Sequence, residues 1–526
     1  MKKENYEFAR YITNDNDARW ADTDEIKNDP TLTQINVEGD DCPGSGIPLI
    51  SDGRMAYVDS SDTHTLIFGS TGSKKTRLFG MPLINFFALA GESFIATDPK
   101  GELYAKTSGL VAAKGYKTTV LDFRDLSKSD FWNPLKWPYE VYHGGKRDEA
   151  VLLLNDFLSA LLAPHRRGVK DPYFSELGSS MALAFLLFFI ETAKPDEANI
   201  FNLANFCVSN SSPDATDLMS KYMAEGSIAT VNLKGVLTNK EAKSTFGNVA
   251  AYLSAMFNPF AIQKKLCQIL SQSSFDIREI GKQKTAIYLI MPDEKTTFHF
   301  LVTAFIKQTY EALIHEAQKQ ADKKLPVRVN FLLDEFCNIP TIPDMAAMVT
   351  AARSRNMRFF LMAQGMHQMK DKYGENAETI KGNCDNWVFL TSREYELLAQ
   401  ISNLCGMYFY TNHEGKIESR ALISVSELQR LRKERGEALI LHGRNYPFVA
   451  ELPDIDAYHF KKHKPIERNE RAFPEIKQYS AETVIKDIKD KKRPLPFSVE
   501  VFGEERYADN TTSPKTDKPK ADIFDW

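Results

Sequence analysis

The chain lacks the cysteine patterns that mark a zinc site or a disulfide framework. Its six cysteines are scattered over 526 residues, and no two of them form a CxxC pair. Isolated thiols of this kind fit a protein of a reducing compartment. The first twenty residues carry charges but no apolar core, so they predict no secretory signal peptide.

Long hydrophobic runs are also missing, since no stretch reaches the roughly 20 apolar residues that a membrane helix requires. The nearest is residues 181–190, MALAFLLFFI, whose length suits a buried core helix better. The net charge of −4 excludes a strongly basic surface, so any nucleic-acid contact must come from local patches or an assembled channel. A hydrophobic content of 43% is typical of a globular protein, and the length of 526 residues predicts two or three domains.

From Thr65 onward, short β-rich apolar runs end in Gly or Asp and alternate with helical stretches, which is the pattern of a parallel α/β sheet. Between about 145 and 275 the apolar residues recur at helical spacing instead, which indicates an all-helical insertion. The predicted strands cover residues 65–68, 93–97, 118–123, 285–291, 328–333, 358–363, 387–390 and 438–441.

These patterns divide the chain into four parts. The C-terminal part, residues 451–526, is rich in charge. Within it, residues 509–522 are expected to be disordered because Lys, Asp, Thr and Pro dominate them. The predicted parts are an N-terminal arm with one or two short strands (1–63), a nucleotide-binding domain (64–145 and 276–450), an inserted all-α domain (146–275) and a charged, partly disordered C-terminal tail (451–526).

A glycine-rich turn directly after the run at 65–68 has the form of a phosphate-binding loop. Such a loop presents backbone N–H groups, a helix N-terminus and a lysine to one anion. Lys75 is expected to reach the β- and γ-phosphates of ATP, and the Thr76 hydroxyl to ligate Mg²⁺. The predicted nucleotide-binding residues are Gly69, Ser70, Thr71, Gly72, Ser73, Lys74, Lys75 and Thr76.

Lys74 occupies the position where this loop ordinarily has glycine. A lysine forced into a left-handed backbone conformation costs about 1–2 kcal/mol. Its charge would offset part of that cost beside a triphosphate. Taken alone, the turn fits an ordinary Gly/Ser turn as well as it fits a phosphate loop.

Residues 328–335, RVNFLLDE, run from apolar side chains into two adjacent carboxylates. Open α/β sheets place ligands at the carboxyl ends of their strands. In a Walker B pattern Asp334 would hold Mg²⁺ and Glu335 would orient or deprotonate the attacking water. The alternative is a solvated strand end followed by a turn.

Three weaker signals accompany these motifs. Gln364 ends an apolar run and could sense the γ-phosphate, although a capping glutamine on a core strand would look the same. Residues 351–358 carry three arginines, which form either a solvated helix end or a group that reaches a neighbouring subunit. Asp98 opens the sequence DPKGE, which is a turn pattern by itself.

The order of these motifs along the chain resembles that of the conjugative coupling proteins of type IV secretion, the TraG/TraD-type DNA-transfer ATPases. The resemblance covers about residues 60 to 445. DPKGE and LLDEF with a helical segment between them are fairly specific for that family. The matching segments are residues 69–76, 97–102, 332–336, 352–364, 369–374 and 401–406.

The resemblance implies a RecA-like P-loop NTPase domain with an inserted all-α domain, assembled as a homo-hexamer. It implies ATP-driven passage of single-stranded DNA, with its attached relaxase, to a type IV secretion channel. It also implies contacts with accessory relaxosome proteins. By motif position Lys75 and Thr76 match Walker A, Asp334 and Glu335 match Walker B, Gln364 matches the sensor, and Arg353 matches an arginine that acts in trans.

Two departures leave alternatives open. Lys74 puts the rate of ATP turnover in question, which favours a nucleotide-binding docking scaffold that hydrolyses little. Another RecA-type helicase or translocase is the second alternative. Many members begin with two membrane helices, and this sequence shows no such segments. We therefore expect a cytoplasmic chain that a separate anchor protein recruits to the inner face of the membrane. Basic residues for a DNA pore could be Lys370, Lys372 and Lys381, which fit solvated helix faces equally well.

Overall fold

A nine-stranded sheet forms the centre of the molecule. The computed structural model describes residues 18–40, 42–166, 173–238 and 243–497. The strands are β1 (Leu32–Asn36), β2 (Ile47–Ser51), β3 (Met55–Asp59), β4 (Thr65–Phe68), β5 (Ser93–Asp98), β6 (Lys117–Asp122), β7 (Thr285–Ile290), β8 (Val329–Leu333), β9 (Met357–Ala363), β10 (Asn386–Phe389), β11 (Met407–Thr411), β12 (Ile417–Ala421), β13 (Glu437–His442) and β14 (Phe448–Glu451).

The described residues also form eighteen α-helices. They are α1 (Thr23–Lys27), α2 (Met81–Ala90), α3 (Glu102–Ala113), α4 (Lys136–His143), α5 (Arg147–Arg166), α6 (Tyr173–Thr192), α7 (Ile200–Ser209), α8 (Pro213–Ser220), α9 (Ile228–Leu237), α10 (Lys243–Ile262), α11 (Lys264–Ile269), α12 (His299–Gln318), α13 (Met345–Ala352), α14 (Met366–Tyr373), α15 (Asn376–Gly382), α16 (Tyr395–Cys405), α17 (Val425–Leu428) and α18 (Ala481–Lys489).

The sheet is mostly parallel, as predicted. Its strand order is β14-β13-β10-β4-β9-β8-β5-β7-β6, in which the run from β10 to β6 is parallel throughout. β13 pairs antiparallel with β10, and β14 antiparallel with β13. Every predicted strand run forms one of these strands. β14, an edge strand whose four residues include an exposed Glu451, was not predicted.

Burial on both faces explains why the strand sequences are continuously apolar. All seven residues of β9 are buried. Along β4 the side chains alternate between two cores: Leu66 and Phe68 pack in the core that contains the inserted helices, and Ile67 packs in the core that contains α2 and α3.

Between β6 and β7 the described residues form helices and no strands, which agrees with an all-α insertion. Helix α6 lies at its centre and contacts α5, α7, α9 and α10. Among the described residues, α6 is also the one helix long and apolar enough to cross a membrane, but 61% of its most apolar window is buried inside the protein. Nine of residues 181–190 are buried, which confirms the expected core helix.

The N-terminal part forms a separate three-stranded antiparallel sheet of order β1-β3-β2, where the sequence indicated one or two strands. A hairpin, β11–β12, follows α16. After β14, residues 453–497 run over the surface and end just beyond α18; we call this segment the strap. Residues 509–522, for which disorder was predicted, lie outside the described residues.

Candidate nucleotide site

The glycine-rich turn lies at the carboxyl edge of the central sheet, between β4 and a π-helical turn, Thr76–Gly80, that continues into α2. Two backbone hydrogen bonds fix it there. The Gly69 N–H donates to the Ala363 carbonyl at 3.1 Å, and the Ser70 N–H to the Thr391 carbonyl at 3.0 Å. The turn therefore faces the edge at which α/β sheets bind ligands, with a helix N-terminus beneath it.

The turn is closed tightly on itself. A Cβ on Gly69 would collide with the Ser73 hydroxyl, so a larger residue at that position would have to displace Ser73. The Lys75 ammonium folds back over the turn and donates to the Gly69 carbonyl at 2.6 Å, with its side chain only 5% exposed. The lysine is thus held directly above the backbone cradle in which a phosphate would lie.

Lys74 adopts the left-handed conformation that the glycine position demands, with φ of 69°. Its neighbour Gly72 is also left-handed, with φ of 76°. The Lys74 ammonium lies 3.9 Å from an Asp454 oxygen. Lys74 therefore holds the left-handed backbone conformation at the position of the usual loop glycine, and this conformation is strained for a lysine.

Because of this strain, Lys74→Gly should be more stable than Lys74→Ala by about 1 kcal/mol in urea unfolding. The two variants lose the same ammonium, so their difference isolates the backbone. The matched pair is Lys234→Gly and Lys234→Ala on the exposed side of α9. There the order should reverse, with alanine more stable by about 1 kcal/mol. The same order at both positions would contradict the left-handed assignment.

Asp334 follows β8 and meets the phosphate loop directly. The Thr76 hydroxyl donates to the Asp334 carboxylate at 2.7 Å, and the Thr97 hydroxyl donates to the Asp334 carbonyl at 2.8 Å. Burial raises the pKa of the Asp334 carboxyl, and the charge of Glu335 adds to this effect. A buried carboxylate beside a hydroxyl is the donor pair that Mg²⁺ uses in P-loop sites.

Glu335 connects the carboxylate pair with the predicted sensor. Its backbone is left-handed, with φ of 53°. One carboxylate oxygen accepts from the Gln364 amide at 2.8 Å and from the Asn338 amide at 2.8 Å, and the other lies 3.9 Å from the Lys75 ammonium. Strain at a non-glycine residue is a frequent feature of functional sites. Lys75, Glu335 and Gln364 thus form one connected group.

Neighbouring strands explain this meeting of distant residues. β4, β9 and β8 are adjacent in the sheet and parallel. The phosphate loop, Gln364 and the pair Asp334–Glu335 each follow one of these strands. Their carboxyl ends therefore deliver all three motifs to one place.

Sequence reasoning did not select Asp98 as a site residue, yet it lies at the same carboxyl edge of the sheet as the phosphate loop. Asp98 ends β5, is 1% exposed and accepts from the Tyr104 N–H at 2.9 Å. Burial raises the pKa of the Asp98 carboxyl to about 6, and the nearby Asp334 charge contributes. The signal that could have found it was its place at the end of a buried strand within DPKGE.

The raised pKa of Asp98 predicts a pH-dependent stability difference. The pKa of Asp98 in the folded state lies above the usual 3.8. The contribution of the protonated Asp98 carboxyl to the free energy of unfolding is therefore complete below about pH 4 and is lost as the pH rises through 6. We compare the free energy of unfolding of Asp98→Asn with that of the native chain in the absence of divalent cations. The difference in favour of Asp98→Asn should grow by about 2–3 kcal/mol between pH 4 and pH 7. Asp322→Asn, which removes an exposed carboxylate, is the matched control. A pH-independent difference for Asp98→Asn would contradict the buried charge.

Arg353 does not reach this site within one chain. It lies between α13 and the start of β9, at the amino edge of the sheet, and pairs with Asp385 at 2.8 Å. Its side chain is 42% exposed. The third arginine of the group, Arg358, is buried and bonded to Glu92 and Asn330. Within one chain, Arg353 and the phosphate loop thus lie at opposite edges of the sheet.

The lysines considered for a DNA pore differ in their surroundings. Lys370 is exposed. Lys372 donates to the Ile339 carbonyl at 2.6 Å, and Lys381 pairs with Glu378 while its ammonium lies 5.9 Å from the centre of the Trp387 ring. Two of the three are therefore engaged within the chain.

The residues of the site fit a metal–nucleotide complex better than a metal held by protein alone. The described residues contain no group of three or more His, Cys, Asp or Glu side chains able to hold a metal ion. Thr76 and Asp334 offer two oxygen donors, so the remaining ligands would have to be phosphate oxygens and water. Mg²⁺ typically binds proteins in this way, through one or two carboxylates and substrate phosphates.

A family model matches most of the chain. The model described as Type IV secretory system Conjugative DNA transfer matches residues 19–435. Among curated proteins, the Conjugal transfer protein TraG of Escherichia coli is 22% identical over 427 residues, which cover 74% of this chain and 64% of TraG. Protein VirD4 of Rhizobium radiobacter is 22% identical over 459 residues, which cover 81% of this chain and 62% of VirD4. The chain thus spans less than two thirds of the length of these relatives.

Solved structures show the fold. The plasmid coupling protein TrwB, in complex with the non-hydrolysable ATP analogue ADPNP, aligns with a TM-score of 0.61 at 14% identity, covering 88% of this chain and 98% of that one. TrwB in complex with ADP and Mg²⁺ aligns with a TM-score of 0.53 at 14% identity, covering 78% of this chain and 87% of that one. The architecture is that of a RecA-like P-loop NTPase with an inserted helical domain, as predicted.

Proposed function

The chain belongs to the Type IV secretory system Conjugative DNA transfer family, and on that premise we propose that it is an ATP-driven coupling protein. It recruits relaxase-bound DNA together with accessory relaxosome proteins and passes single-stranded DNA to a type IV secretion channel. It works at the inner face of the bacterial cell membrane. The single observation that carries the proposal is the hydrogen bond, 2.7 Å long, that joins the phosphate loop to Asp334.

ATP binds along the loop at residues 69–76, with the backbone N–H groups and the Lys75 ammonium on its phosphates. The Lys75 ammonium already lies over the loop, on the Gly69 carbonyl, and would pass from that carbonyl to a phosphate. Thr76 and Asp334 would hold Mg²⁺, whose charge neutralises the β- and γ-phosphates when it is bound.

Glu335 positions the attacking water and accepts its proton. The Gln364 amide holds the Glu335 carboxylate in place and thereby links the state of the γ-phosphate to β9 and to the helix that follows it. Glu335 and Gln364 each follow a buried strand closely, and the rigid strands keep these side chains in position.

Arg353 acts in trans in this proposal, on the nucleotide of the neighbouring subunit in a homo-hexameric ring. Its position at the edge opposite the loop supports this arrangement, because one subunit would present the loop and the next would present the arginine. A guanidinium supplied in trans is worth about 10³- to 10⁵-fold in phosphoryl-transfer rate. Contacts with DNA phosphates carry no sequence information, so DNA binding should be non-specific and weaken with salt.

ATP turnover measured against protein concentration, with and without single-stranded DNA, tests the proposal. Specific activity should rise with concentration as subunits assemble, and DNA should raise it further. Turnover that is absent at all concentrations, with nucleotide still bound, would instead support a docking scaffold; the strained Lys74 is the observation that favours that second function. Strand displacement on a duplex would indicate a helicase.

A further inference from the structure

The strap begins beside the phosphate loop. Asp454 accepts a hydrogen bond from the Arg77 guanidinium at 2.9 Å, and the Lys74 ammonium lies 3.9 Å from the same carboxylate. Asp456 also pairs with Arg77, at 2.6 Å, and with Lys106 at 3.3 Å. Two acidic residues from the far end of the chain thus neutralise the cations that flank the loop.

From there the strap lies in close contact with the nucleotide-binding domain. It passes so near α3 that a Cβ on Gly109 would collide with the backbone of the strap at Lys464. Further along, Arg468 pairs with Asp122 at 2.7 Å and Arg471 with Asp130 at 2.6 Å. Both aspartates are buried, which fixes the course of the strap, since breaking a buried ion pair leaves an uncompensated charge.

The strap ends on the inserted helices. The Tyr479 hydroxyl bonds to the Thr192 hydroxyl at 2.7 Å, and its ring contacts Phe189 of α6. The Asn202 amide of α7 donates to the Lys477 carbonyl at 2.7 Å, and the Arg493 guanidinium donates to the Thr192 carbonyl at 2.8 Å. One segment therefore touches both the phosphate loop and the centre of the all-α insertion.

We propose that the strap couples occupancy of the phosphate loop to the inserted helices, with Asp454 as the positioning residue that responds to the nucleotide phosphates. The inference rests on the proposed function, because it requires nucleotide at this loop. Phosphates entering the loop compete with Asp454 for Lys74 and Arg77 and repel its carboxylate. The contact between strap and loop weakens, and the change passes along the strap to residues 477–489 on the helices.

Hydrogen–deuterium exchange of the full chain, with and without Mg·ADPNP, tests this coupling. ADPNP should raise exchange about two- to five-fold in peptides covering residues 453–458 and 477–489, the range expected from loss of partly exposed ion pairs. In Asp454→Asn those peptides should exchange faster before nucleotide is added and respond little to it. Asp454→Glu should restore the response. Glu414→Gln, which removes an exposed carboxylate on the β11–β12 hairpin, is the charge-matched control.

A separate titration with a fluorescent ATP analogue distinguishes the two ways of failing. If the native chain binds nucleotide and residues 477–489 show unchanged exchange, the coupling is overturned and the proposed function stands. If Asp454→Asn responds like the native chain, Asp454 is not the responding group and the proposal is overturned. If the native chain binds no nucleotide, the proposed function fails, and the coupling with it. The native comparison alone decides the coupling if Asp454→Asn folds poorly.

Discussion

Glu335→Gln should lower kcat for ATP hydrolysis about 10²- to 10⁴-fold, the contribution typical of a general base. Nucleotide binding should change little, since Glu335 lies 3.9 Å from Lys75 and does not form the backbone cradle. The glutamine keeps the size of the side chain and one oxygen for the Gln364 and Asn338 amides. Only the negative charge that would accept a proton from water is lost.

Steady-state turnover with single-stranded DNA, measured beside binding of a fluorescent ATP analogue, separates the two effects. Glu414→Gln removes an exposed carboxylate on the hairpin and should leave both quantities unchanged. Equal turnover by the native chain and by Glu335→Gln would remove the motor from the account and leave a scaffold that binds nucleotide.

Arg353→Ala should lower the ATP turnover of the assembled protein about 10³-fold or more. Folding should be little affected, because the Arg353–Asp385 ion pair is partly exposed and pairs of that kind contribute about 0–1 kcal/mol. The nearby Arg355 is the matched control, since it lies in the same short 3-10 turn. Arg355→Ala should keep most of the activity.

Mixing two inactive variants tests whether Arg353 acts on the neighbouring subunit. Lys75→Ala has lost its phosphate lysine but keeps Arg353, whereas Arg353→Ala keeps Lys75. In a mixed ring some interfaces combine an intact Lys75 with an intact Arg353. We expect mixing to restore measurable turnover, with an optimum at an intermediate ratio. Mixtures that are no more active than either variant alone would exclude a trans role for Arg353.

The central sheet could be predicted from sequence because its physics is local. Strands buried on both faces must be continuously apolar, and each predicted run ends where the chain turns. The meeting of Lys75, Glu335 and Gln364 also follows from pattern once the sheet is parallel, because carboxyl ends of parallel strands share one edge. The strain at Lys74 was foreseeable too, since the loop needs a left-handed residue whichever side chain is present.

What could not be predicted depends on partners far apart in the sequence. Arg358 belongs to a run of arginines, yet it is buried and forms an ion pair with Glu92, which directly precedes β5. The contact between Arg77 and Asp454 joins residues 377 positions apart. Local composition describes such charges as solvated, because it carries no information on which opposite charge will face them. The course of the strap was missed for this reason.

The central claim is that the turn at 69–76 and the carboxylates at 334–335 share one metal–nucleotide site. A crystal structure of the chain with ADPNP and Mn²⁺ tests it most directly, since the anomalous signal of manganese locates the metal. We predict a single manganese peak within binding distance of the Thr76 hydroxyl and within reach of the Asp334 carboxylate. The Lys75 ammonium should have moved from the Gly69 carbonyl to a phosphate. A nucleotide bound elsewhere, or a metal out of reach of Asp334, would contradict the account.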